Sequence, residues 1–296
     1  MEIRLCKIHY DSLEGKYNYN FIDELTIEQF DHFNISMSSI NELINIRQLV
    51  KLVEHNEADF ISFLNLSLEE YLKKNTKRLQ LKMEDSEEKY LNINRFFLNY
   101  LSSIRTFIDH SQTFFNRKFG IKSFQLEEFK RICSVFFDES FAYRFFSKLR
   151  NYAQHVGLPI GEISFSTKID RDNKKLEANL TVAFVRDELL LKFSDWGKVK
   201  NELKEKEKEF DVIPLIYEMT NNIEEIERQI EIICKEEFLK SAAFILDMTK
   251  DIRDKESEIV IVHSFNREDL YNMNFSEIHI PFKIIDALFN ELNPKT

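Results

Sequence analysis

Glycine and proline are scarce in this chain. Its 296 residues include five glycines and four prolines. Because these residues are the strongest local breaks in regular structure, their scarcity predicts long helices. The chain also shows no internal repeat and no low-complexity segment, which excludes solenoids and compositionally biased tracts.

Cysteine is scarce as well, and histidines are not clustered. The three cysteines, at positions 6, 133 and 234, are far apart and odd in number, so neither a disulfide framework nor a zinc spacing is visible. This usage is typical of a reducing compartment. We expect no metal ion and no cofactor. Five histidines lack metal-ligand spacing with another His, Cys or carboxylate: His9, His32, His55, His263 and His279.

Long apolar runs are missing too. No segment approaches the ~20 apolar residues of a membrane span. The first residues, MEIRLCKIHYDS, are interrupted by charges where a signal peptide is apolar. The chain also lacks a Walker loop, a dinucleotide fingerprint and a serine nucleophile elbow. These absences predict a cytoplasmic protein without a membrane partner.

Charge is acidic overall and uneven along the chain. A net charge of −10 and a pI near 5.4 argue against a broad nucleic-acid coat, because phosphate contacts need Lys and Arg. From Asn99 to Ile160, nine basic residues stand against five acidic ones, which makes this segment +4 and leaves −14 for the rest. A local basic patch on an acidic protein favours a compact anionic ligand over a long duplex.

Apolar residues are plentiful, and many follow a helical period. They make up 43% of the chain and include 28 phenylalanines, which predicts a soluble folded protein with a core. Residues 38–157 predict an up-and-down helical bundle with short connections. Its helices are expected at about 38–53, 58–81, 90–120, 126–137 and 138–156.

Period-two patterns flank this bundle. Residues 2–10 alternate as a strand does, whereas residues 11–36 show no clear pattern. After Pro159, residues 163–169 and 176–185 predict a β-hairpin around a polar turn. Later segments are assigned from their patterns: 188–193 as a strand or a helix start, 195–253 as helix with a solvated charge run, and 258–265 as a strand.

Together these patterns predict an α+β fold that is mainly α. We expect an N-terminal segment at residues 1–37 that includes a possible short strand. A helical bundle at 38–159 and a smaller α/β C-terminal region at 160–296 follow it.

Candidate chemistry lies late in the last helix of the bundle, where residues 150–155 read RNYAQH. Asn151 and His155 are four residues apart and share a helix face, towards which Arg150 can reach. His155 can transfer protons near neutral pH, and an arginine fork suits phosphate oxygens. These groups are a minimal set for metal-free RNA cleavage, in which the ribose 2′-OH attacks its own phosphodiester. The alternative is a solvated helix end, because short motifs have many false positives.

The R-N-x-x-x-H arrangement resembles the signature of the HEPN superfamily. In that signature four to six residues separate an Arg from a His, and Asn, Asp or His commonly follows the Arg. Arg150, Asn151 and His155 match it without a gap. The helix at 94–110 is similar to the one that faces the signature helix in such proteins. The resemblance covers residues 38–157, and the flank at 186–203 looks similar to bacterial proteins that carry the same core.

The resemblance implies a HEPN-like bundle that forms a homodimer and acts on RNA. His155 would be the acid–base group, Arg150 would stabilise the phosphorane, and Asn151 would orient His155 or the phosphate. No metal is implied, and the products would carry a 2′,3′-cyclic phosphate and a 5′-hydroxyl. Because family members often serve as toxins or abortive-infection effectors against phage, an antitoxin or a phage-derived trigger is an expected partner.

Further residues are predicted around this site. Arg105 and Asp109 lie on the facing helix, where they either form a structural i, i+4 salt bridge or border the cleft. Together with the basic Arg144 and Lys148 they are our predicted substrate-binding residues. Trp196 is interpreted as a packing residue, with base stacking as its alternative.

Three functional hypotheses stay open at this point. The first, which we favour, is a HEPN endoribonuclease with a toxin or antiviral role. The second is a non-catalytic HEPN module that binds RNA or a nucleotide, or holds a dimer together. The third is a protein-interaction or antitoxin-like component in which residues 160–296 dock a partner.

Overall fold

The computed structural model of the chain describes residues 2–12, 15–76, 83–170, 175–254, 258–264, 268 and 274–293. Within these residues the chain forms eight helices and seven strands, and the strands pair antiparallel in two sheets. The protein is therefore α+β and mainly α, and the predicted fold class is confirmed.

The elements have the following bounds. The helices are α1 (Ile27–Thr76), α2 (Met83–Phe119), α3 (Phe124–Glu139), α4 (Phe141–His155), α5 (Arg186–Lys192), α6 (Val199–Glu205), α7 (Ile213–Thr249) and α8 (Phe282–Leu292). The strands are β1 (Glu2–Asp11), β2 (Lys16–Glu24), β3 (Glu162–Asp170), β4 (Lys175–Val185), β5 (Glu209–Asp211), β6 (Glu258–Ser264) and β7 (Ser276–His279).

The chain forms two compact units, one built from residues 1–44 with 231–296 and the other from residues 45–230. The predicted boundaries after residues 37 and 159 do not coincide with those of the units. The reason is a long-range pairing, because β1 lies antiparallel to β6 with Leu5 opposite Ile261. Patterns within a short window do not show which distant strands pair.

The first unit is organised around a sheet in the order β2-β1-β6-β7. One face of this sheet packs against Phe33 of α1 and Ile285 of α8. On the other face, Phe275 packs with Phe21 of β2 against the cluster of Cys6 and Val260. Residues 259–262 of β6 are at most 1% exposed. Because both faces are covered, β6 is apolar at successive positions and shows little alternation.

The second unit contains α2 to α6 and the sheet β3-β4-β5. Its centre is aromatic: Phe145 contacts the rings of Phe146, Phe184, Trp196 and Phe210 at centroid distances of 5.1–5.8 Å. A fully buried side chain of this size stabilises a fold by about 1.5–3 kcal/mol relative to leaving it exposed. This cluster holds α4 against β4 and the segment that follows α5.

Helix α1 is longer than predicted. It runs without a break through residues 54–57, where two separate helices were expected, and it begins in the segment for which no pattern was clear. Its start is a capping box: Thr26 Oγ1 accepts a hydrogen bond from the Gln29 N–H at 3.1 Å, and Gln29 Oε1 accepts one from the Thr26 N–H at 2.9 Å. The T-x-x-Q pattern that encodes this box is a sequence signal for a helix start.

Residues 195–253 are interrupted, although they were predicted as helical throughout. α6 ends at Glu205, and β5 follows before α7 begins. In β5, Phe210 lies opposite Phe184 of β4 and its ring lies 5.3 Å from that ring. The pairing of buried Phe210 with β4 therefore outweighs the helical preference of the charged residues that precede it in the sequence.

The predicted β-hairpin after Pro159 is present. β3 and β4 pair antiparallel in register from Glu162 opposite Ala183 to Asp170 opposite Lys175, and the intervening turn lies outside the described residues. Residues 188–193 fitted either a strand or a helix start, and all but the last of them lie in helix α5, Arg186–Lys192. Among the helices that the structure describes, none combines the length and the apolar character needed to span a membrane.

Candidate functional site

A cavity of about 230 Å³ lies between α2 and α4. Each helix contributes side chains at spacings of three and four residues, which is the spacing that aligns residues on one helical face. Met219 of α7 completes the lining. The lining residues on α2 are Leu101, Ile104, Arg105 and Ile108, and those on α4 are Tyr143, Phe146, Ser147, Arg150 and Asn151.

The N-terminus of α4 is fixed by a polar network with α7. Ser140 Oγ accepts a hydrogen bond from the Tyr143 N–H at 3.1 Å, which caps the helix. The same hydroxyl donates to Glu218 Oε1 at 2.6 Å and accepts from Asn222 Nδ2 at 2.8 Å. Because the Glu218 carboxylate lies at the positive end of α4, it also interacts favourably with the helix dipole.

The C-terminus of α4 is fixed against α2. The helix ends at His155, where the N–H groups of Val156 and Gly157 both donate to the Tyr152 carbonyl, at 2.8 and 3.3 Å. Two residues after Leu158, the Ile160 N–H donates to Oδ1 of the fully buried Asn94 at 3.1 Å. Both ends of α4 are thus held, so the residues between them present a fixed face to α2.

Arg150 and Asn151 lie together at the cavity, as the motif predicted. Both side chains are half-buried. Within the part of the chain that the structure describes, neither makes a side-chain hydrogen bond or an ion pair. No nitrogen atom of Arg150 is among the buried side-chain atoms that lack a partner. Water can therefore reach the guanidinium, and its donors are available to an anion.

His155 lies outside the lining of the cavity. It lies four residues after Asn151, about 6 Å further along the helix axis. Its side chain is exposed and makes no hydrogen bond with any described residue. The structure thus places Arg150 and Asn151 in the lining of the cavity and leaves His155 outside it.

Arg105 and Asp109 form the ion pair that their spacing predicted. Arg105 Nε lies 2.7 Å from Asp109 Oδ2, and the two side chains are 52% and 46% exposed. Arg105 lines the cavity, whereas Asp109 does not. A second guanidinium therefore stands across the cavity from Arg150, with one carboxylate already bound to it.

The other two predicted substrate-binding residues are engaged elsewhere in the fold. Arg144 donates to both carboxylate oxygens of Glu202, at 3.1 and 2.6 Å, and to the carbonyls of Phe137 and Asp138. Lys148 pairs with Asp195 at 3.3 Å. Neither side chain lines the cavity. The hydrogen bonds to Glu202 raise the pKa of Arg144.

Replacing Arg144 with alanine is expected to lower the free energy of unfolding by about 1–2 kcal/mol, since a hydrogen bond to a charged group is worth about 1.5–3 kcal/mol and Glu202 would lose its partner. Urea unfolding followed by circular dichroism measures the change. Arg131→Ala is the matched control, because Arg131 pairs with Glu128 on the surface and is 61% exposed. Equal shifts in both variants would show that Arg144 is not a structural anchor.

Trp196 is a packing residue, as predicted. Neither face of its ring is exposed for a nucleobase to stack on. It is fully buried, and its Nε1–H donates to the Leu189 carbonyl at 3.1 Å. Its ring stacks on Tyr152 and meets Phe193 edge-on. The stacking alternative is excluded by this burial.

Seven of the ten lining residues were not among the predicted site residues: Leu101, Ile104, Ile108, Tyr143, Phe146, Ser147 and Met219. Ser147 was within reach of prediction, because it precedes Arg150 by three residues and Asn151 by four. Tyr143 is almost fully buried, and burial raises its pKa; its hydroxyl hydrogen-bonds the Cys133 thiol, whose pKa burial raises to about 11. Met219 comes from α7, 68 residues after Asn151 in the chain, and no local pattern connects the two.

No three His, Cys, Asp or Glu side chains come together as a metal site among the residues that the structure describes. No family model matches the chain, and neither a curated protein nor a solved structure does. Support for a function therefore comes from the geometry of this site and from the motif in its sequence.

Proposed function

We propose that this protein is a HEPN-type endoribonuclease that cleaves RNA without a metal ion. The observation that carries the proposal is Arg150, a half-buried guanidinium that lines a cavity and has no partner among the described residues. Beside it lies Asn151, and one helical turn further lies the exposed His155. An anion site next to a free imidazole is what cleavage by an internal hydroxyl needs.

The reaction is a transesterification within the RNA. His155 accepts the proton of a ribose 2′-OH, the 2′-oxygen forms a bond to the adjacent phosphorus, and the bond from phosphorus to the 5′-oxygen breaks. The leaving oxygen takes up a proton, which gives a 2′,3′-cyclic phosphate and a 5′-hydroxyl. Arg150 donates hydrogen bonds to the charged phosphorane, which is where a fixed cation contributes most.

Arg150 and His155 are five residues apart, which separates them by about 7.5 Å along the axis of α4 and by about 140° around it. The half-buried Asn151 lies between them in angle and can hold the phosphate or the imidazole in place. In a homodimer, which the resemblance implies, a second copy would bring its own arginine and histidine to the same cleft.

The biological role that fits such an enzyme is that of a toxin or an antiviral effector. An RNA-cleaving activity is harmful to the host cell unless it is held inactive. An antitoxin or a phage-derived trigger is therefore the partner that we propose, with the homodimer as the acting form.

The second candidate is a non-catalytic module that binds RNA or a nucleotide. One observation favours it: His155 does not line the cavity, so Arg150 and Asn151 can hold an anion there without it. Such a module would bind RNA and leave its length unchanged.

RNA cleavage by the purified protein in EDTA separates these candidates. We expect fragments with 2′,3′-cyclic phosphate ends from the wild type, and a loss of at least 10²-fold in rate for His155→Ala, because general acid–base catalysis contributes about 10²–10⁴-fold. The substitution should leave the melting temperature unchanged, since the side chain is exposed and forms no hydrogen bond or ion pair with a described residue.

His55→Ala is the matched control. His55 is also an exposed helical histidine, on α1, so its removal tests for any general effect of losing an imidazole. Cleavage that survives in His155→Ala at the wild-type rate would rule out His155 as the acid–base group. RNA that is bound but left intact by the wild type would favour the binding module.

A further inference from the structure

We propose that helix α3 is a contact surface between two copies of this chain, and that Phe124 of each copy enters a groove beside α3 of the other copy. This inference goes beyond the proposed function and does not depend on it. The dimer that the ribonuclease implies joins the α4 ends that carry Arg150 and His155. The contact described here instead uses α3 and the part of α7 beside it.

Four residues form a stripe along the solvent-facing side of α3: Phe124, Glu128, Arg131 and Val135. They are spaced by four, three and four residues, which keeps them within an arc of about 60° on the helix surface. Phe124 is 77% exposed and Val135 is 37% exposed, and the Arg131 side chain is 61% exposed. The stripe is therefore apolar at both ends, with one acidic and one basic residue between them.

The order of these residues is self-complementary when two copies of α3 run antiparallel. A two-fold axis midway between residues 129 and 130 places Phe124 level with Val135 of the second copy. The same axis places Glu128 level with Arg131 of the second copy. Each apolar contact and each charge pair then forms twice, as an isologous contact requires. A parallel arrangement would instead place like charges together, so the charges select the antiparallel one.

A groove of about 240 Å³ opens on α3 at Val135, the residue that Phe124 of the second copy reaches. An engineered apolar cavity of about 150 Å³ admits benzene, so the groove has room for a phenyl ring. Its apolar surface comes from α3, and burial of the ring against that surface is favourable. The lining residues are Arg131, Ile132, Val135 and Phe136 of α3 and Glu225 and Gln229 of α7.

The charges at the centre of the stripe can serve both copies. Arg131 and Glu128 form an ion pair within α3, in which Arg131 Nη2 lies 2.6 Å from Glu128 Oε1. A guanidinium group has five donors, so it can keep this carboxylate and bind a second one from the other copy. The contact is small, because each copy contributes one helix and one groove, so we expect it to dissociate on dilution. The unfolding of dilute protein therefore does not depend on it.

Sedimentation velocity of the full-length protein over a dilution series tests the contact. The wild type is expected to associate as its concentration rises. Phe124→Asp should weaken this association by about tenfold or more, because a carboxylate loses its hydration when it enters an apolar groove. Leu191→Asp is the matched control, since Leu191 is also an apolar helical residue and is 85% exposed on α5. It should associate as the wild type does.

Charge reversal in the stripe provides a second test. Arg131→Glu leaves only carboxylates at the two charged positions, and Glu128→Arg leaves only guanidinium groups. Each variant alone should associate more weakly than the wild type by about tenfold or more, because like charges then face each other. An equimolar mixture of the two variants restores opposite charges at both positions and should associate as the wild type does. A folding defect in either variant would not be repaired by mixing.

Equal association of the wild type, Phe124→Asp and Arg131→Glu at every concentration would overturn the inference, and so would a mixture that associates no better than its two components. RNA cleavage is a separate readout. Intact RNA from a wild type that associates through α3 would contradict the ribonuclease and leave this contact in place. Cleaved RNA from a wild type whose association these substitutions do not change would retain the ribonuclease and remove the contact.

Discussion

Replacing Arg150 with alanine is expected to slow RNA cleavage by about 10²–10³-fold, the loss typical of removing one donor that stabilises a transition-state anion. The same change should leave the melting temperature unchanged. Arg150 has no partner among the described residues, and none of its nitrogen atoms is buried from water, so its removal breaks no ion pair.

Single-turnover cleavage of a labelled RNA and thermal unfolding of the same preparations measure both effects. Arg150→Lys keeps the charge and loses the fork of donors, so it should recover only part of the rate. Arg144→Ala provides the contrast on the same helix, because it should lose stability through Glu202 and change cleavage less. A rate within threefold of the wild type for Arg150→Ala would contradict its role at the phosphate.

The largest expected effect on stability comes from Phe145. Its ring is fully buried and contacts five other aromatic rings, including those of Phe141 and Trp196. Phe145→Ala removes these contacts and leaves a cavity, so the free energy of unfolding should fall by about 3–5 kcal/mol. Chemical unfolding monitored by tryptophan fluorescence is a direct measurement, because Trp196 lies in the same cluster.

Phe124→Ala is the control for this change. Phe124 is 77% exposed at the first residue of α3, so its removal should change stability by no more than about 0.5 kcal/mol. Similar losses in the two variants would show that the aromatic cluster is not the centre of the second unit.

Elements whose ends are set by neighbouring residues could be predicted well from the sequence. The end of α4 was predicted near Val156, and the helix ends at His155. The prediction was close because Gly157 and Pro159, which commonly follow the end of a helix, come directly afterwards. The hairpin of β3 and β4 was predicted from its period of two. The start of α1 was missed, although its capping box was readable at Thr26 and Gln29.

Strand pairings between segments that are distant in the chain could not be predicted from the sequence. Strand β1 pairs with β6, which lies far along the chain. Phe210 is in a strand because it pairs with Phe184 of β4, which is also distant in sequence. Single-window patterns contain no such information. The predicted boundaries after residues 37 and 159 followed changes of period, whereas the units follow long-range contacts.

The same limit applies to the candidate site. The spacing of Arg150, Asn151 and His155 was visible, and so was the pair of Arg105 with Asp109. The motif assigned Arg150 to catalysis and Arg144 to substrate binding, but nothing in the sequence indicated that Arg144 is engaged elsewhere in the fold. What separates them is the partner of each guanidinium: Glu202 and two carbonyls for one, and no described group for the other.

The pairing of β1 with β6 has a consequence for the order of events on the ribosome. Residues 45–230 form a unit from one continuous stretch, whose last residue is made 28 residues before β6 begins. The strand β1 can pair with β2 as soon as both are made. Its other edge stays unpaired until β6 is made, because Leu5 lies opposite Ile261. At about 5–20 residues per second, that edge stays open for roughly 10–50 seconds of synthesis. During this interval the nascent chain exposes an apolar strand edge, which makes it a substrate for chaperones.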